Sequence, residues 1–406
     1  MESKKKILFV TNVMGRAGAE RTLIALLEKF DLTKYDVSLF AIMPRGEFFK
    51  EVPSGIRILN KKYSTESIIG SSSTFYKIRQ VLKALFYKCY FIVHFPYLIK
   101  NLFSQLKMKR FSVEKLVWHA LSRMAPLQKE KFDLAVAYIE GASTYYVADR
   151  VNASKKVGFV HIDYSKSGYV KKLDKPFYQK LDKIYCVSKT SKATIISAFP
   201  EFAEKTDTFQ NTISDQYIIE NADKGEGFTD GFDGIRLVTV GRLHFQKGYD
   251  IAIEAFAKFI KENDVKIRWY IIGEGPERPK LEKLITKYGV QDKFILLGVQ
   301  QNPFPFVKQC DIYVHATRFE GWCIAIAEAK ILKKPIIASN TAGVLEQLDN
   351  DSSIIINLTV DEIVAALKKL VFDAELRAKF TEILSEEWKR PNDIGKLYTL
   401  ANGENS

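Results

Sequence analysis

The chain has 406 residues, of which 47% are hydrophobic and 27% charged, the composition of an ordinary globular protein. This length predicts two domains. The four cysteines form no close pair and no metal-ligand spacing, which argues against disulfides and a zinc site and favours a reducing compartment. The first residues, MESKKK, run into a short apolar stretch that we interpret as a strand and not as a signal peptide.

The positive charge is concentrated in one segment. Residues 61–131 contain 14 Lys or Arg against three Asp or Glu, so this segment carries +11 of the net charge of +13. The rest of the chain is close to neutral. The net charge of the protein is therefore a property of this segment, and the function of the segment has to explain it.

The chain opens with a strand, a glycine turn and an amphipathic helix. Residues 7–10 are continuously apolar, as in a parallel strand covered on both faces, and Gly15 and Gly18 mark the turn. Such a turn commonly faces a ligand. The pattern is not GxGxxG, however, so a plain tight turn explains it equally well. Further strands are predicted at residues 35–43 and 56–59, followed by a Ser-rich loop over residues 61–74.

A basic and aromatic segment follows the loop. Residues 75–118 contain eleven aromatic residues interleaved with Lys and Arg. Its most apolar part, residues 84–99, includes Lys88 and His94 and is a poor membrane-spanning helix. Three interpretations stay open: peripheral binding to an anionic membrane, a helical hairpin with its aromatic residues in the core, and binding to single-stranded nucleic acid.

The α/β alternation resumes at residue 132. The strand VGFVHIDY ends in His161 and Asp163, and His161 is the best-placed histidine because α/β sheets bind ligands at strand ends. A lone histidine is more often structural. Residues 199–233 are polar and Gly-rich and predict a linker, and a short strand at residues 206–210 is assigned to the second half.

The second half predicts a parallel doubly wound sheet. GRLHFQKG places Arg242 and Lys247 at the carboxyl end of a buried strand, and Glu320 precedes a helix that contains Glu328. Arg and Lys bind phosphate oxygens, and a helix N-terminus favours an anion. Together these groups can neutralise a leaving diphosphate without a metal. DND at residues 349–351 imitates a metal motif, but we interpret it as a polar turn.

Five motifs identify a resemblance: GRLHFQKG, IIGEGPE, the LLG loop, CDIYVHATRFEGW with its two glutamates, and PIIASNTAGVLEQL. Their order and spacing over residues 235–348 resemble the family 4 retaining glycosyltransferases. GRAGAERTL resembles the N-terminal glycine loop of that family. VGFVHIDY resembles a strand of its capsule and lipopolysaccharide members. The resemblance covers nearly the whole chain except the basic insertion.

The resemblance implies a GT-B fold, an α/β architecture of two Rossmann-like doubly wound domains facing a cleft. We expect an N-terminal acceptor-side domain at 1–205 with a basic helical insertion at about 75–131, and a nucleotide-sugar domain at 206–385. A helix at 386–406 would cross back to the N-terminal domain, with Trp388 and Tyr398 as possible anchors.

The resemblance also assigns roles to individual residues. Arg242 and Lys247 would hold the donor diphosphate, Glu328 the ribose, and Glu320 the donor sugar. The backbone of Gly321, Trp322, Cys323 and Ile324 would lie near the phosphates. His161 would lie by the reacting sugar, and Gly15 and Gly18 would line the cleft. The family pattern EGFG is EGWC here, so Trp322 and Cys323 are expected to narrow the sugar pocket.

The sequence thus predicts a retaining hexosyltransferase of bacterial surface-polysaccharide synthesis. It would transfer a sugar from a UDP-linked donor to a lipid-linked saccharide and use no cofactor or metal. It would be cytoplasmic and peripheral at the inner membrane face, attached through residues 75–131, with no nucleic-acid partner. The alternatives are a soluble transferase with a protein or small-sugar acceptor, and a non-catalytic protein that binds nucleic acid or a nucleotide sugar.

Overall fold

The computed structural model describes residues 4–68, 71–107, 113–385 and 392–404. Lys109, Arg110 and Phe111 of the basic segment, and Trp388, lie outside these ranges. The chain divides into two compact units. The first comprises Met1–Ile213 together with Pro391–Ser406, and the second is Ser214–Arg390.

The first unit contains a parallel sheet in the order β3-β2-β1-β4-β5-β6-β7. Its strands are β1 (Lys5–Thr11), β2 (Tyr35–Ala41), β3 (Arg57–Ile58), β4 (Lys131–Ala137), β5 (Asn152–Val160), β6 (Lys183–Cys186) and β7 (Thr206–Thr208). Ile7 and Phe9 of β1 pack on one face of the sheet, while Leu8 and Val10 pack on the other. This alternation explains the continuous apolar run in the sequence, because helices cover both faces.

The helices of the first unit include those that cover its sheet and those of the basic segment. They are α1 (Gly18–Glu28), α2 (Ser71–Phe86), α3 (Tyr90–Val93), α4 (Phe95–Lys107), α5 (Val113–Met124), α6 (Ala142–Arg150), α7 (Lys171–Tyr178) and α8 (Lys189–Ala198). The segment predicted as a basic helical insertion thus forms α2 to α5. Helix α2 begins at Ser71, within the stretch predicted as a loop up to residue 74.

The second unit contains a parallel sheet in the order β10-β9-β8-β11-β12-β13. Its strands are β8 (Ile235–Val240), β9 (Ile267–Ile272), β10 (Phe294–Gly298), β11 (Ile312–His315), β12 (Ile336–Ser339) and β13 (Ser353–Ile356). Its helices are α9 (Asp215–Ala222), α10 (Tyr249–Glu262), α11 (Arg278–Tyr288), α12 (Phe304–Gln309), α13 (Ile324–Ile331), α14 (Ala342–Leu345), α15 (Val360–Phe372) and α16 (Ala374–Ile383).

A last helix, α17 (Ile394–Ala401), belongs to the first unit. Leu397 and Leu400 join the core on one face of the first sheet. Tyr398 stacks on Tyr35 with ring centroids 4.5 Å apart, and its hydroxyl accepts a hydrogen bond from the amide of Asp31 at 3.1 Å. The chain therefore enters the second unit and returns to the first.

The strand predicted at residues 206–210 was assigned to the wrong half. Residues Thr206–Thr208 pair with β6 and form the edge of the first sheet. The observed boundary lies between Ile213 and Ser214, whereas the sequence predicted 205/206. A short polar strand at the edge of a sheet has the same composition as a linker. The sequence pattern therefore did not show where the first unit ends and the linker begins.

Each sheet has a point at which the order of its strands reverses. In the first sheet β1 lies beside β4, and in the second β8 lies beside β11. This position is called the switch point of the sheet. In open α/β sheets, ligands bind outside the carboxyl ends of the strands at the switch point. Among the described residues, no helix is both long and apolar enough to span a membrane.

Candidate functional site

Backbone hydrogen bonds join the loop after β8 to the loop after β9. The amide of Gly241 donates to the carbonyl of Ile272 at 2.9 Å, and that of Leu243 to the carbonyl of Glu274 at 3.0 Å. A Cβ on Gly273 would lie 2.1 Å from the carbonyl oxygen of Gly241, and Gly273 has a φ of +149°. Only glycine allows this close approach of the two backbones.

A single turn of 3-10 helix, Phe245–Lys247, follows this loop and directs Lys247 toward β11. The ammonium of Lys247 donates to Glu320 Oε1, forming an ion pair. The carboxylate of Glu320 is only 9% exposed. It also accepts from the Thr317 hydroxyl at 3.2 Å, and from the side-chain amide of Gln246 at 3.4 Å. The pair thus bridges the carboxyl ends of β8 and β11, the strands at the switch point.

Both members of this pair are charged at neutral pH. Burial would raise the pKa of Glu320, but the Lys247 ammonium and the hydrogen bond from His315 hold it at about 2. Burial would lower the pKa of Lys247, but the Glu320 carboxylate raises it above its ordinary value. A positive charge is therefore kept at the strand ends even though its side chain is largely buried.

Arg242 supplies a second positive charge, and it is exposed. Within the described parts of the chain, its guanidinium has no hydrogen-bond or ion-pair partner. Burial and then the charge of Arg242 lower the pKa of His244, and Arg242 also opposes the upward shift that Glu320 gives the pKa of Lys247. An unpaired guanidinium beside a fixed ammonium suits an anion with several oxygens, since Arg can bind two of them at once.

Arg318 fixes the turn that carries Lys247. Its two terminal nitrogens donate to the two carboxylate oxygens of Asp250 at 2.9 and 2.8 Å. It also donates to the carbonyl of Phe245 at 2.7 Å, and its guanidinium lies 4.0 Å from the centre of the Phe245 ring. The loop after β11 and the turn after β8 are therefore joined as one structure.

The residues predicted to lie near the phosphates lead into α13, with Cys323 as its N-cap and Ile324 as its first residue. Gly321 and Cys323 are buried, whereas Trp322 and Ile324 are half-buried. Glu328 lies inside the helix and is 5% exposed. The first turn of a helix presents amide N–H groups and a partial positive charge. Glu320 lies four residues before the first residue of α13, so its ion pair with Lys247 brings the helix terminus close to the positive side chains.

The loop before α13 packs tightly on α14. A Cβ on Gly343 would lie 2.6 Å from the carbonyl oxygens of both Glu320 and Gly321. Only a residue without a side chain fits here, so Gly343 sets the position of the loop that carries Glu320.

Cys323 lies beside His315. Its sulfur is 3.2 Å from Nε2 and 3.8 Å from Nδ1 of that ring. Burial, followed by the nearby Glu320 carboxylate, raises the pKa of Cys323 to about 12. A thiol with this pKa is protonated and unreactive at neutral pH, which argues against a nucleophilic role.

His161 lies after β5 in the first unit. Its Nε2–H donates to the carbonyl of Tyr138 at 2.8 Å, and its backbone amide donates to Glu140 Oε2 at 3.0 Å. Because a carbonyl only accepts, Nε2 carries the proton and Nδ1 is an acceptor. Burial lowers the pKa of His161 to about 4, so the ring is neutral at neutral pH.

The glycines of the N-terminal turn differ in their surroundings. Gly15 is buried, and a Cβ there would lie 2.1 Å from Cδ1 of Ile68. Gly18 is the first residue of α1. Two backbone hydrogen bonds fix the turn. The amide of Met14 donates to the carbonyl of Arg45 at 3.1 Å, and the carbonyl of Met14 accepts from the amide of Phe48 at 2.9 Å. The absence of a side chain at Gly15 therefore allows Ile68 to pack against the turn.

The DND sequence forms a turn. Asp349 Oδ1 accepts from the amides of Asp351 and Ser352, each at 3.1 Å, and from the Ser352 hydroxyl at 2.9 Å. These hydrogen bonds use the carboxylate to close the turn.

The structure brings Arg242, Lys247, Glu320 and the 321–324 backbone together in the second unit. His161, Gly15 and Gly18 belong to the first unit. Sequence reasoning missed His315 and Thr317, although both stand at the carboxyl end of a buried strand. It also missed Glu140 and Asn12 in the first unit. Asn12 donates to the carbonyl of Glu140 at 3.0 Å and accepts from the amide of Ser143 at 2.9 Å.

The second unit is similar to glycosyltransferases. Residues 232–385 match the family model described as Glycosyl transferases group 1. An uncharacterized glycosyltransferase of Methanocaldococcus jannaschii is 31% identical over 169 residues, which are 41% of this chain and 41% of that protein. These matches support a transferase enzyme.

A second relative has a named reaction. The N-acetylgalactosamine-N,N'-diacetylbacillosaminyl-diphospho-undecaprenol 4-alpha-N-acetylgalactosaminyltransferase of Campylobacter jejuni is 25% identical over 206 residues, or 50% of this chain and 54% of that protein. The chain thus spans about half the length of the curated relatives it matches.

The fold matches over nearly the full length of a solved structure. HepE of Anabaena, crystallised with UDP and glucose, superposes with a TM-score of 0.65 at 16% identity, and the match covers 98% of each chain. Two parallel-sheet Rossmann-like units of the GT-B type are therefore confirmed.

Proposed function

We propose that the protein is a family 4 retaining glycosyltransferase that takes a sugar from a UDP-sugar and transfers it to a lipid-linked saccharide. Its setting would be the synthesis of a bacterial surface polysaccharide such as a capsule, an exopolysaccharide or an O-antigen. It would act in the cytoplasm, at the inner face of the membrane. The relative from Campylobacter jejuni, whose name includes a diphospho-undecaprenol acceptor, supports this class of acceptor.

One observation carries the donor side of the proposal. The ion pair of Lys247 with Glu320, the exposed Arg242 and the N-terminus of α13 meet at the switch point of the second sheet. Two cations and a helix terminus can offset the charge that develops on a departing diphosphate. No metal cofactor is needed in this scheme.

The roles of the other side chains are those that the family resemblance implies. Glu328, buried on α13, would bind the ribose, and Glu320 would contact the donor sugar while it positions Lys247. His161, as a neutral acceptor at Nδ1, would accept a hydrogen bond from a sugar hydroxyl. Gly15 and Gly18 would let the N-terminal turn approach the substrates.

The acceptor side is supported by an exposed apolar stripe on α2. Phe75, Ile78, Leu82 and Phe86 follow helical spacing and are 49 to 72% exposed. The exposed Lys83 adjoins this stripe. Phe75 and Phe86 are therefore not core residues of the first unit, whereas Tyr90 of the same basic segment is. Basic residues beside an exposed apolar helix face match the chemistry of an anionic lipid surface.

A donor screen tests the transferase. The full chain is incubated with UDP-, GDP- and ADP-linked hexoses, and release of the nucleotide is measured with and without a lipid-linked saccharide. We expect release from UDP-sugars that persists in EDTA and falls by more than about tenfold in Glu320→Gln and in His161→Ala. UDP binding should remain in His161→Ala, because Lys247 and Arg242 belong to the second unit, whereas His161 forms its hydrogen bonds within the first. Full turnover in both variants would contradict these roles.

Vesicle sedimentation tests the membrane surface. Lys83, Lys88 and Lys107 are replaced together by Gln, and the matched control replaces the exposed Lys261, Lys283 and Lys369 of the second unit. At about 1 kcal/mol per charge, the first variant should bind anionic vesicles on the order of 100-fold more weakly. Equal binding by both variants would favour the soluble transferase. Salt-sensitive binding to single-stranded DNA in place of vesicles would favour nucleic acid.

A further inference from the structure

His315, Cys323 and Glu320 form a cluster of three potential metal ligands in the second unit. His315 Nε2 lies 3.2 Å from Glu320 Oε1 and 3.2 Å from the sulfur of Cys323, and one ligand atom from each residue falls within 4.8 Å of the others. His315 and Cys323 are almost fully buried. Sequence reasoning did not predict this group, because its members are not in a recognised metal-ligand spacing.

We propose that these three side chains bind a divalent cation of the zinc type, and that the bound ion closes the donor site. In a tetrahedral zinc site, bonds of about 2.0–2.3 Å place the ligand atoms about 3.3–3.7 Å apart. Two of the observed separations are already within about 0.5 Å of this range. The third has to close by about 1 Å at most.

The donor atoms select the kind of ion. A thiolate, an imidazole and a carboxylate suit Zn²⁺ or Co²⁺, whereas Mg²⁺ and Mn²⁺ prefer sites made of oxygen atoms. Three protein ligands leave the fourth position of a tetrahedral ion to water. On binding, the thiol of Cys323 releases its proton to solvent, and the proton on Nε2 of His315 moves to Nδ1 so that Nε2 can bind the ion.

The consequence for Lys247 follows from charge. Without the ion, the ammonium of Lys247 and the carboxylate of Glu320 cancel. A divalent ion with a thiolate adds one net positive charge at the oxygen that Lys247 contacts. The ammonium is then repelled from Glu320 and no longer held beside Arg242. This consequence rests on the proposed role of Lys247 in donor binding, whereas binding of the ion does not.

Cobalt absorption tests the site directly. Co²⁺ added to the full chain should give a sulfur-to-cobalt charge-transfer band at one equivalent. Cys323→Ser should lose the band and bind Zn²⁺ more than about 100-fold more weakly, because it lacks a direct ligand. Cys310→Ser is the matched control, since Cys310 is also buried in the second unit and its thiol donates to the carbonyl of Val307 at 3.1 Å.

Isothermal titration with UDP tests the consequence. Zn²⁺ should weaken UDP binding by more than about tenfold in the wild type and in Cys310→Ser, but not in Cys323→Ser. Each variant is compared with itself, with and without Zn²⁺, so that any direct effect of the substitution cancels. Mg²⁺ at the same concentration should have no such effect.

The outcomes separate the claims. A cobalt band or zinc affinity unchanged in Cys323→Ser would overturn the site. Loss of the band with UDP affinity insensitive to Zn²⁺ in the wild type would overturn the closure of the donor site. Failure to find any transferase activity would leave the cobalt result standing. If Cys323→Ser does not fold, Cys323→Ala is used, and a thermal shift by Zn²⁺ in the wild type that Cys323→Ala lacks supports the site.

Discussion

Replacing Lys247 by Met should destabilise the second unit far more than an ordinary lysine substitution. The change keeps most of the apolar side-chain length but removes the charge that balances Glu320. Breaking a buried ion pair from one side costs about 3–5 kcal/mol, because the remaining charge stays buried without compensation.

The structure suggests the lower end of that range. Glu320 keeps its contacts with His315, Thr317 and Gln246 after the change. Its pKa of about 2, against an ordinary 4.5, corresponds to about 3 kcal/mol of preference for the charged form. We therefore expect a loss of about 3 kcal/mol near neutral pH.

The pH dependence gives an independent check. A carboxylate with a lowered pKa adds stability above its unfolded pKa, and this contribution is lost as the pH falls through the folded value. The difference in stability between wild type and Lys247→Met should therefore shrink as the pH falls from 4.5 to about 2.

Urea unfolding, followed by hydrogen exchange of peptides from β8 and β11, reports on the second unit alone. Lys258→Met is the matched control, because Lys258 pairs with Asp361 at 2.7 Å on the surface, where losing an ion pair should cost far less stability than losing the buried pair. Lys247→Met with Glu320→Gln should recover most of the loss. Equal costs for Lys247→Met and Lys258→Met, or no recovery in the double variant, would refute the reasoning.

Three further outcomes are expected. Arg242→Ala should weaken UDP binding about 10- to 100-fold by calorimetry, and because this side chain is exposed, the midpoint of urea unfolding should barely move. Gly343→Ala should weaken UDP binding and destabilise the protein by about 1–3 kcal/mol by displacing the Glu320 loop, whereas Gly395→Ala, with open space around it, should not. The pKa of His161 is about 4, so titration of His161 should not change kcat/KM between about pH 6 and 8. A change of kcat/KM in this pH range that disappears in His161→Gln would contradict this.

The alternation of apolar and amphipathic segments was sufficient to predict the two Rossmann-like units. The continuous run in β1 and the strand–loop–helix order around Arg242 reflect local preferences that each segment shows alone. The edge strand Thr206–Thr208 was misplaced because its pairing with β6 is a long-range contact with no local signal.

The sequence predicted only those residues of the candidate site that are charged and also follow the end of a predicted strand. Arg242, Lys247 and Glu320 follow strand ends and could be named from the sequence. The part played by His315 and Cys323 could not, because they are separated by a loop and meet only when β11 and α13 are packed together. The exposure of the α2 stripe could not be predicted from the sequence either, because helical spacing does not say which face of a helix is covered. The three interpretations of the basic segment stay predictions.

A crystal structure with UDP bound tests the central claim most directly. The diphosphate should lie against the guanidinium of Arg242, the ammonium of Lys247 and the backbone amides at the start of α13. Density for the diphosphate away from these groups, with the Lys247–Glu320 pair undisturbed and Arg242 still unpaired, would contradict the account.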